Sequence, residues 1–347
     1  TQPSDMSFGV SDERTGVEYR ATDPLTLFAQ PRNLTRPRFH RMLVDIVRVN
    51  RTLARLDSAG ELPSDVPLHD FVARLGVSSW YRDLFLVPFG SAIWSADPTS
   101  FLDFPVATYA RFMANHGLLD VRHKVMWRTV VGGSRSYVTA LTAPFAHRIR
   151  TATPVDKVVR VPGERGRPRV EVIAGGERHE FDHVVLATHS DQALGLLGDP
   201  SAAERSILGA LGYRPNVATW HSDERFLPRA RRARASWNVH VGGARSAAPT
   251  LTYWMNLLQD LPTSTPLLVT LNRADDIDPQ LVHHQVEYAH PVVDVASVAA
   301  QARRPEIQGL DGVWYVGAYW RYGFHEDGVV SGLDVVEGLR RWDGEHR

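Results

Sequence analysis

The stretch VWYVGAYWRYGFHEDGVVSGLDVVEGL, residues 313–339, constrains the fold more than any other part of this chain. An apolar run, VWYVG, ends on Gly317 and gives way to a glycine-punctuated turn. From Asp327 and Gly328 onward, Val329, Val330, Leu333, Val336 and Leu339 recur at helical spacing. The pattern predicts a buried strand, a close turn at Gly317, and a helix whose apolar stripe faces a sheet. Gly332, without a side chain, is expected to let that helix approach tightly. Free N–H groups at residues 328–330 would carry the positive end of the helix dipole, a place for a polar oxygen. The competing reading makes Asp327 an ordinary N-cap and the glycines ordinary turn residues.

The rest of the chain alternates helical and strand-like patterns. MSFGVSDERTGVEYRAT (6–22) reads as a hairpin, and 33–56 as an amphipathic helix with Phe39, Met42, Leu43, Ile46, Val47, Asn50 and Leu53 on one face. A shorter helix fits LHDFVARLG (68–76), closed by Gly76. Ten aromatic residues between Trp80 and Trp127 predict a packed aromatic core, a minority of them lining an apolar pocket. VVGGSRSYVTALTAPFA (130–146) reads as a turn opening a helix, and 149–197 as a sheet of β-branched runs ending in a helix. Further strands are expected at 218–228, 235–243, 249–259 and 266–273, and a short helix at 296–303. No fixed-period repeat is present, which sets solenoids and propellers aside.

Composition narrows the function. Lys+Arg and Asp+Glu both total 39, so no net field attracts nucleic acid or an anionic membrane. The run RARRARAS (229–236) reads as a solvated loop. The only lysines are Lys124 and Lys157, so lysine chemistry has two candidates. With no cysteine, thiolate metal sites and cysteine nucleophiles are excluded, which suits a reducing cytoplasm. No apolar stretch approaches the length of a membrane span, so the expectation is a soluble chain, at most peripheral to a membrane. HED (325–327) lacks the further converging ligands of a metal site, and the histidines of HHQVEYAH (283–290) read as surface residues. GGSRS (132–136) is not the G-x-S-x-G elbow, and no P-loop is present. Neither GERGRP (163–168) nor GGARSA (242–247) makes a G-x-G-x-x-G fingerprint.

VVGGSRSYVTAL, TPVDKVV, VVLATHSDQALGLL and the opening stretch occur in the order and spacing of the flavin-containing amine oxidase and phytoene desaturase superfamily. PFGSAIWSA, FMANHGLL, SWNV and TYWMNLLQ resemble its bacterial branch of predicted NAD/FAD-binding proteins. The resemblance implies a mixed α/β protein: an incomplete FAD-binding, Rossmann-like domain at 126–200 and 300–347, and a substrate domain of β-sheet plus helices at 1–125 and 201–299. It carries a cofactor role onto Val155, whose backbone would meet the adenine side of FAD, and onto Ala187 and Thr188 at the end of VVLAT. Gly317 and Ala318 match the family's Gly-acid doublet, with Ala318 in place of the acid. Asp327, Gly328 and Val329 match the segment facing the flavin pyrimidine.

The same resemblance implies a family that begins with a strand–GxGxxG–helix unit, and this chain begins after it, so a truncated flavoprotein is expected. The implied activity is an FAD-dependent, desaturase-like oxidoreductase acting on an apolar small molecule or lipid. A fatty-acyl substrate is preferred, because relatives are connected with modification of membrane acyl chains. His189, Tyr319, Trp320 and Tyr322 are the candidates for the substrate wall, with ordinary packing as their alternative. A flavin amine oxidase is the second reading; such enzymes place a lysine near the flavin, and PLLVTLNRADD has none. A non-catalytic remnant unable to bind FAD alone is the third. The oligomeric state is left open.

Overall fold

The computed structural model describes residues 1–94, 100–119, 126–163, 167–242 and 249–345. Lys124, the end of PFGSAIWSA, the middle of GERGRP and most of GGARSA lie outside the described residues. The strands in chain order are β1 (Gln2–Pro3), β2 (Phe8–Asp12), β3 (Val17–Arg20), β4 (Arg128–Thr129) and β5 (Val155–Val161). Next come β6 (Arg169–Ala174), β7 (Glu177–Phe181), β8 (Val184–Leu186), β9 (Tyr213–His221) and β10 (Trp237–Val241). The last are β11 (Thr250–Trp254), β12 (Leu268–Leu271), β13 (Val282–Pro291) and β14 (Val313–Tyr315). With the helices between them they make a mixed α/β architecture. Two compact units interleave in sequence: Thr1–Pro144 with Pro215–His290, and Phe145–Arg214 with Pro291–Arg347. The second unit thus begins at 145 rather than the expected 126, breaks at 214 rather than 200 and resumes at 291 rather than 300. The segment 126–144 joins the first unit, where β4 pairs with β1.

The first unit is built on a seven-stranded sheet in the order β13-β9-β12-β11-β10-β2-β3. The expected hairpin is β2–β3, with Val10 opposite Tyr19, and β2 runs parallel to β10. Strand alternation separates the two faces. Tyr19, Val10, Val239 and Leu251 lie in one buried apolar row. The Tyr19 hydroxyl donates to the Leu84 carbonyl at 2.7 Å, and Phe8 meets the Phe89 ring edge-on at 4.9 Å. The opposite face carries a buried polar row, Asn238, Thr252, Thr270 and Thr219, on directly paired positions. The Thr252 and Thr270 hydroxyls are 2.8 Å apart and His221 Nε2 lies 2.7 Å from Thr270 Oγ1, while the Thr219 hydroxyl has no partner among the described residues.

The helix Pro37–Ala59 buries Phe39, Met42, Val49 and Leu53 and ends at Gly60, whose φ of 69° only glycine adopts freely. The predicted aromatic core is present: Trp94 packs 4.7 Å from Phe104 and 4.6 Å from Phe112 between ring centroids. HHQVEYAH belongs to the strand β13, with His283 and His284 exposed and His290 Nδ1 2.9 Å from Asn216 Nδ2.

The second unit contains the antiparallel sheet β5-β6-β7 and a parallel pair, β8 and β14, joined through Val184 opposite Val313 to Leu186 opposite Tyr315. Val158, Val170, Leu186, Ile207 and Tyr315 are buried in its core. The helix Ala202–Leu208 starts in a capping box: Ser201 Oγ accepts from the Glu204 N–H at 3.1 Å and Glu204 Oε2 from the Ser201 N–H at 2.7 Å.

Candidate cofactor-binding site

The opening stretch folds as a strand, β14, a short 3-10 turn at Ala318–Trp320 and the C-terminal helix His325–Glu345. Because β8 and β14 are parallel, their carboxyl ends fall on one edge, and the Val316 N–H donates to the Leu186 carbonyl at 3.0 Å. Open α/β sheets bind ligands in the crevice beyond such an edge. Ala187, Thr188 and His189 leave the first strand there, and Gly317 and Ala318 leave the second. The helix start joins them through two hydrogen bonds of Ser331, whose hydroxyl accepts from the Gly317 N–H at 2.9 Å and donates to the Gly328 carbonyl at 2.8 Å.

The geometry corrects four expectations. The helix begins two residues before Asp327, and the Gly328 N–H is already bonded to the Phe324 carbonyl at 3.2 Å. The amides of its unbonded first turn are therefore those of His325, Glu326 and Asp327, not 328–330. Asp327 is not the N-cap but reaches back from the third helical position to accept from the Phe324 N–H at 3.0 Å.

The predicted buried stripe faces outward: Val329 is 56% exposed and Leu333 61%, while Asp327, Ser331 and Val335 are buried. The tight approach to the sheet is at Gly338, where a Cβ would stand 2.4 Å from the Trp314 ring, whereas a Cβ on Gly332 would meet nothing within 4 Å.

The close turn at Gly317 accommodates the chain's own Tyr319 ring, which a Cβ there would meet at 2.2 Å. Tyr319 and Trp320 themselves are buried in the core, and the Trp320 indole N–H donates to the Tyr315 carbonyl at 3.3 Å. Burial raises the Tyr319 phenol well above its ordinary value, and its oxygen has no hydrogen-bond partner among the described residues.

His189 and Tyr322 are half-buried; Ala187 and Thr188 are exposed. The His189 ring stacks on Tyr213 at 4.4 Å, and the Tyr213 hydroxyl accepts from the Ser190 N–H at 2.9 Å. Tyr213 and Ser331 were not predicted from sequence; neither sits in a motif that would mark it. Val155 opens β5 opposite Ala174, on a different sheet from β8 and β14.

Ala318 and Gly328 face one another across the edge. The Ala318 N–H makes no hydrogen bond among the described residues, and a Cβ on Gly328 would point at it from 3.9 Å. With the three amides of the helix start, this is a set of neutral backbone donors backed by a helix dipole. It suits electron-rich oxygens and ring nitrogens, and so fits the pyrimidine and ribityl side of a flavin. Among the described residues no group of three His, Asp or Glu could hold a metal ion.

A parallel-strand edge beside a helix start is a common ligand-binding place in α/β proteins. The family profile for flavin containing amine oxidoreductases matches residues 71–282, and the chain belongs to that family. It is a flavin-dependent oxidoreductase of the amine oxidase family, and membership implies a flavin cofactor. The fold is similar to solved structures. Cyclohexylamine oxidase from Brevibacterium oxydans IH-35A shares 14% identity at a TM-score of 0.60, over 98% of this chain and 82% of that one. A CLA-producing fatty acid isomerase from P. acnes shares 13% at 0.62, over 97% and 80%. Putrescine oxidase bound to putrescine shares 14% at 0.58, over 98% and 82%. No curated protein sequence matches the chain.

Proposed function

We propose that the chain serves an FAD-dependent oxidoreductase that draws a hydride from an apolar, fatty-acyl substrate. The observation that carries this reading is the convergence of the free Ala318 N–H, the side-chain-free face of Gly328 and the helix start at the carboxyl ends of β8 and β14. Bound there, FAD would supply the two-electron acceptor. Ala318 and the amides at 325–327 would hold the polar edge of its ring. Ser331 would keep the two loops in register, and His189 and Tyr322 would border the substrate. The fatty-acyl preference rests on the absence of lysine from PLLVTLNRADD and on the likeness to a fatty acid isomerase. The likeness to two amine oxidases makes amine oxidation the rival outcome.

Two features support a further strand–turn–helix segment completing the site. The sequence has no G-x-G-x-x-G to cradle a pyrophosphate. The C-terminal helix also leaves Val329, Leu333 and Val336 exposed, an apolar stripe of the kind a covering element buries. Backbone hydrogen bonds to charged phosphates contribute roughly 1.5–3 kcal/mol each, so their loss weakens FAD binding by orders of magnitude.

The test is an FAD titration of the 347-residue chain, alone and fused to a family strand–GxGxxG–helix segment. Flavin absorbance at stoichiometric occupancy in the fusion, reduced on adding fatty-acyl lipid, supports the proposal. Reduction by simple amines alone would overturn the substrate class. No binding by either protein would establish the remnant reading.

A further inference from the structure

The free edge of the seven-stranded sheet is a second feature with a readable consequence. β13, Val282–Pro291, is its terminal strand and, among the described residues, pairs with β9 on one side only. At ten residues it is among the longest strands of the chain. Sheet edges are normally guarded by lysine, proline, bulges or a covering element. The strand contains no lysine and its one proline, Pro291, stands at its last position, beyond the exposed His283, His284, Gln285, Glu287 and Tyr288.

From this edge we infer that β13 pairs antiparallel with β13 of a second copy, extending the sheet across a two-fold axis. Symmetry restricts the register. A two-fold axis normal to a sheet keeps its faces, so paired residues must point to the same face and their numbers must sum to an even total. Centred on Gln285, the pairing sets His283 opposite Glu287 twice and Val282 opposite Tyr288 twice. Imidazole meets carboxylate, and an aromatic ring meets a β-branched side chain; both are stabilising cross-strand pairs. Centring on His284 puts imidazole against imidazole, and centring on Val286 puts Glu287 against Gln285, so the first register is the one with matched charges. The chain also prepares His283 for this role. Its Nε2 lies 2.6 Å from the Ser222 hydroxyl and its ring rests edge-on against Trp220 at 5.2 Å, which leaves Nδ1 for a carboxylate.

Sedimentation velocity on the full chain over a concentration series tests the inference, with circular dichroism as the control for folding. The expected result is a reversible dimer. Glu287→Arg should weaken it by about tenfold or more, since two contacts change at once. His283→Glu combined with Glu287→Arg should restore it to within about threefold. A monomer at every concentration, assembly beyond the dimer, a dimer indifferent to Glu287→Arg, or a double variant that stays dissociated would each overturn the pairing. Flavin binding is read separately, so its absence leaves this result unaffected.

Discussion

The hydroxyl of Tyr315, at the end of β14, donates to Oε1 of Glu204 on the helix Ala202–Leu208, and Arg160 of β5 shares that oxygen. Glu204 and Tyr315 are fully buried and the Arg160 side chain is nearly so. Three elements of the second unit are therefore tied to one carboxylate.

Removing the charge should be costly. Burial pushes the Glu204 carboxyl up, but hydrogen bonds from Tyr315 and Ser201 and the Arg160 guanidinium outweigh it and hold the group below its ordinary value. Glu204→Gln takes from Arg160 its buried counter-charge, leaving only the more exposed Asp199 and Asp311, and should destabilise by about 1–3 kcal/mol, read from urea unfolding. Tyr315→Phe should cost about 1–2 kcal/mol. A lowered carboxylate pKa contributes stability that is complete above the ordinary value of 4.5 and is lost as pH falls through the folded value. Acid unfolding should therefore begin at higher pH in Tyr315→Phe.

His221 works in the same direction for a different reason. Burial lowers its pKa from 6.5 to about 4. The unfolded imidazole takes up its proton first, so stability is full above pH 6.5 and declines as pH falls toward 4. The loss reaches about 3 kcal/mol at most. Replacing His221 with Gln should flatten the stability profile in that window, checked by unfolding at a series of pH values.

Two glycines of the C-terminal helix should respond oppositely to alanine. Gly338→Ala drives a methyl into the Trp314 ring and should lower stability by about 1–3 kcal/mol. Gly332→Ala meets open space and should raise it by up to about 1 kcal/mol through helix propensity. Thermal unfolding of both variants distinguishes this packing from the reverse orientation.

Ser331 should matter more than its size suggests. Ser331→Ala leaves the half-buried Gly317 N–H without its acceptor and should cost about 1–2 kcal/mol, with faster amide hydrogen exchange at Gly317 as the local signature.

Local pattern was enough to find the elements. The β2–β3 hairpin, the long amphipathic helix that buries Phe39, Met42 and Leu53, the aromatic cluster around Trp94 and the strand–turn–helix at the C-terminus all follow from periodicity and turn chemistry, which are properties of neighbouring residues. The rotation of the last helix was not legible. Its apolar stripe at Val329 and Leu333 predicted the buried face, but Asp327 and Ser331 satisfy the N–H groups of Phe324 and Gly317, and Gly338 fits the Trp314 ring. Those contacts turn the small and polar face inward. The burial of Tyr319 and Trp320 and the convergence on Glu204 are equally tertiary. The sequence by itself determined which segments become strands and helices, because that depends on spacing along the chain. Only the tertiary structure decided which faces meet, because that depends on satisfying buried donors from residues far apart in sequence.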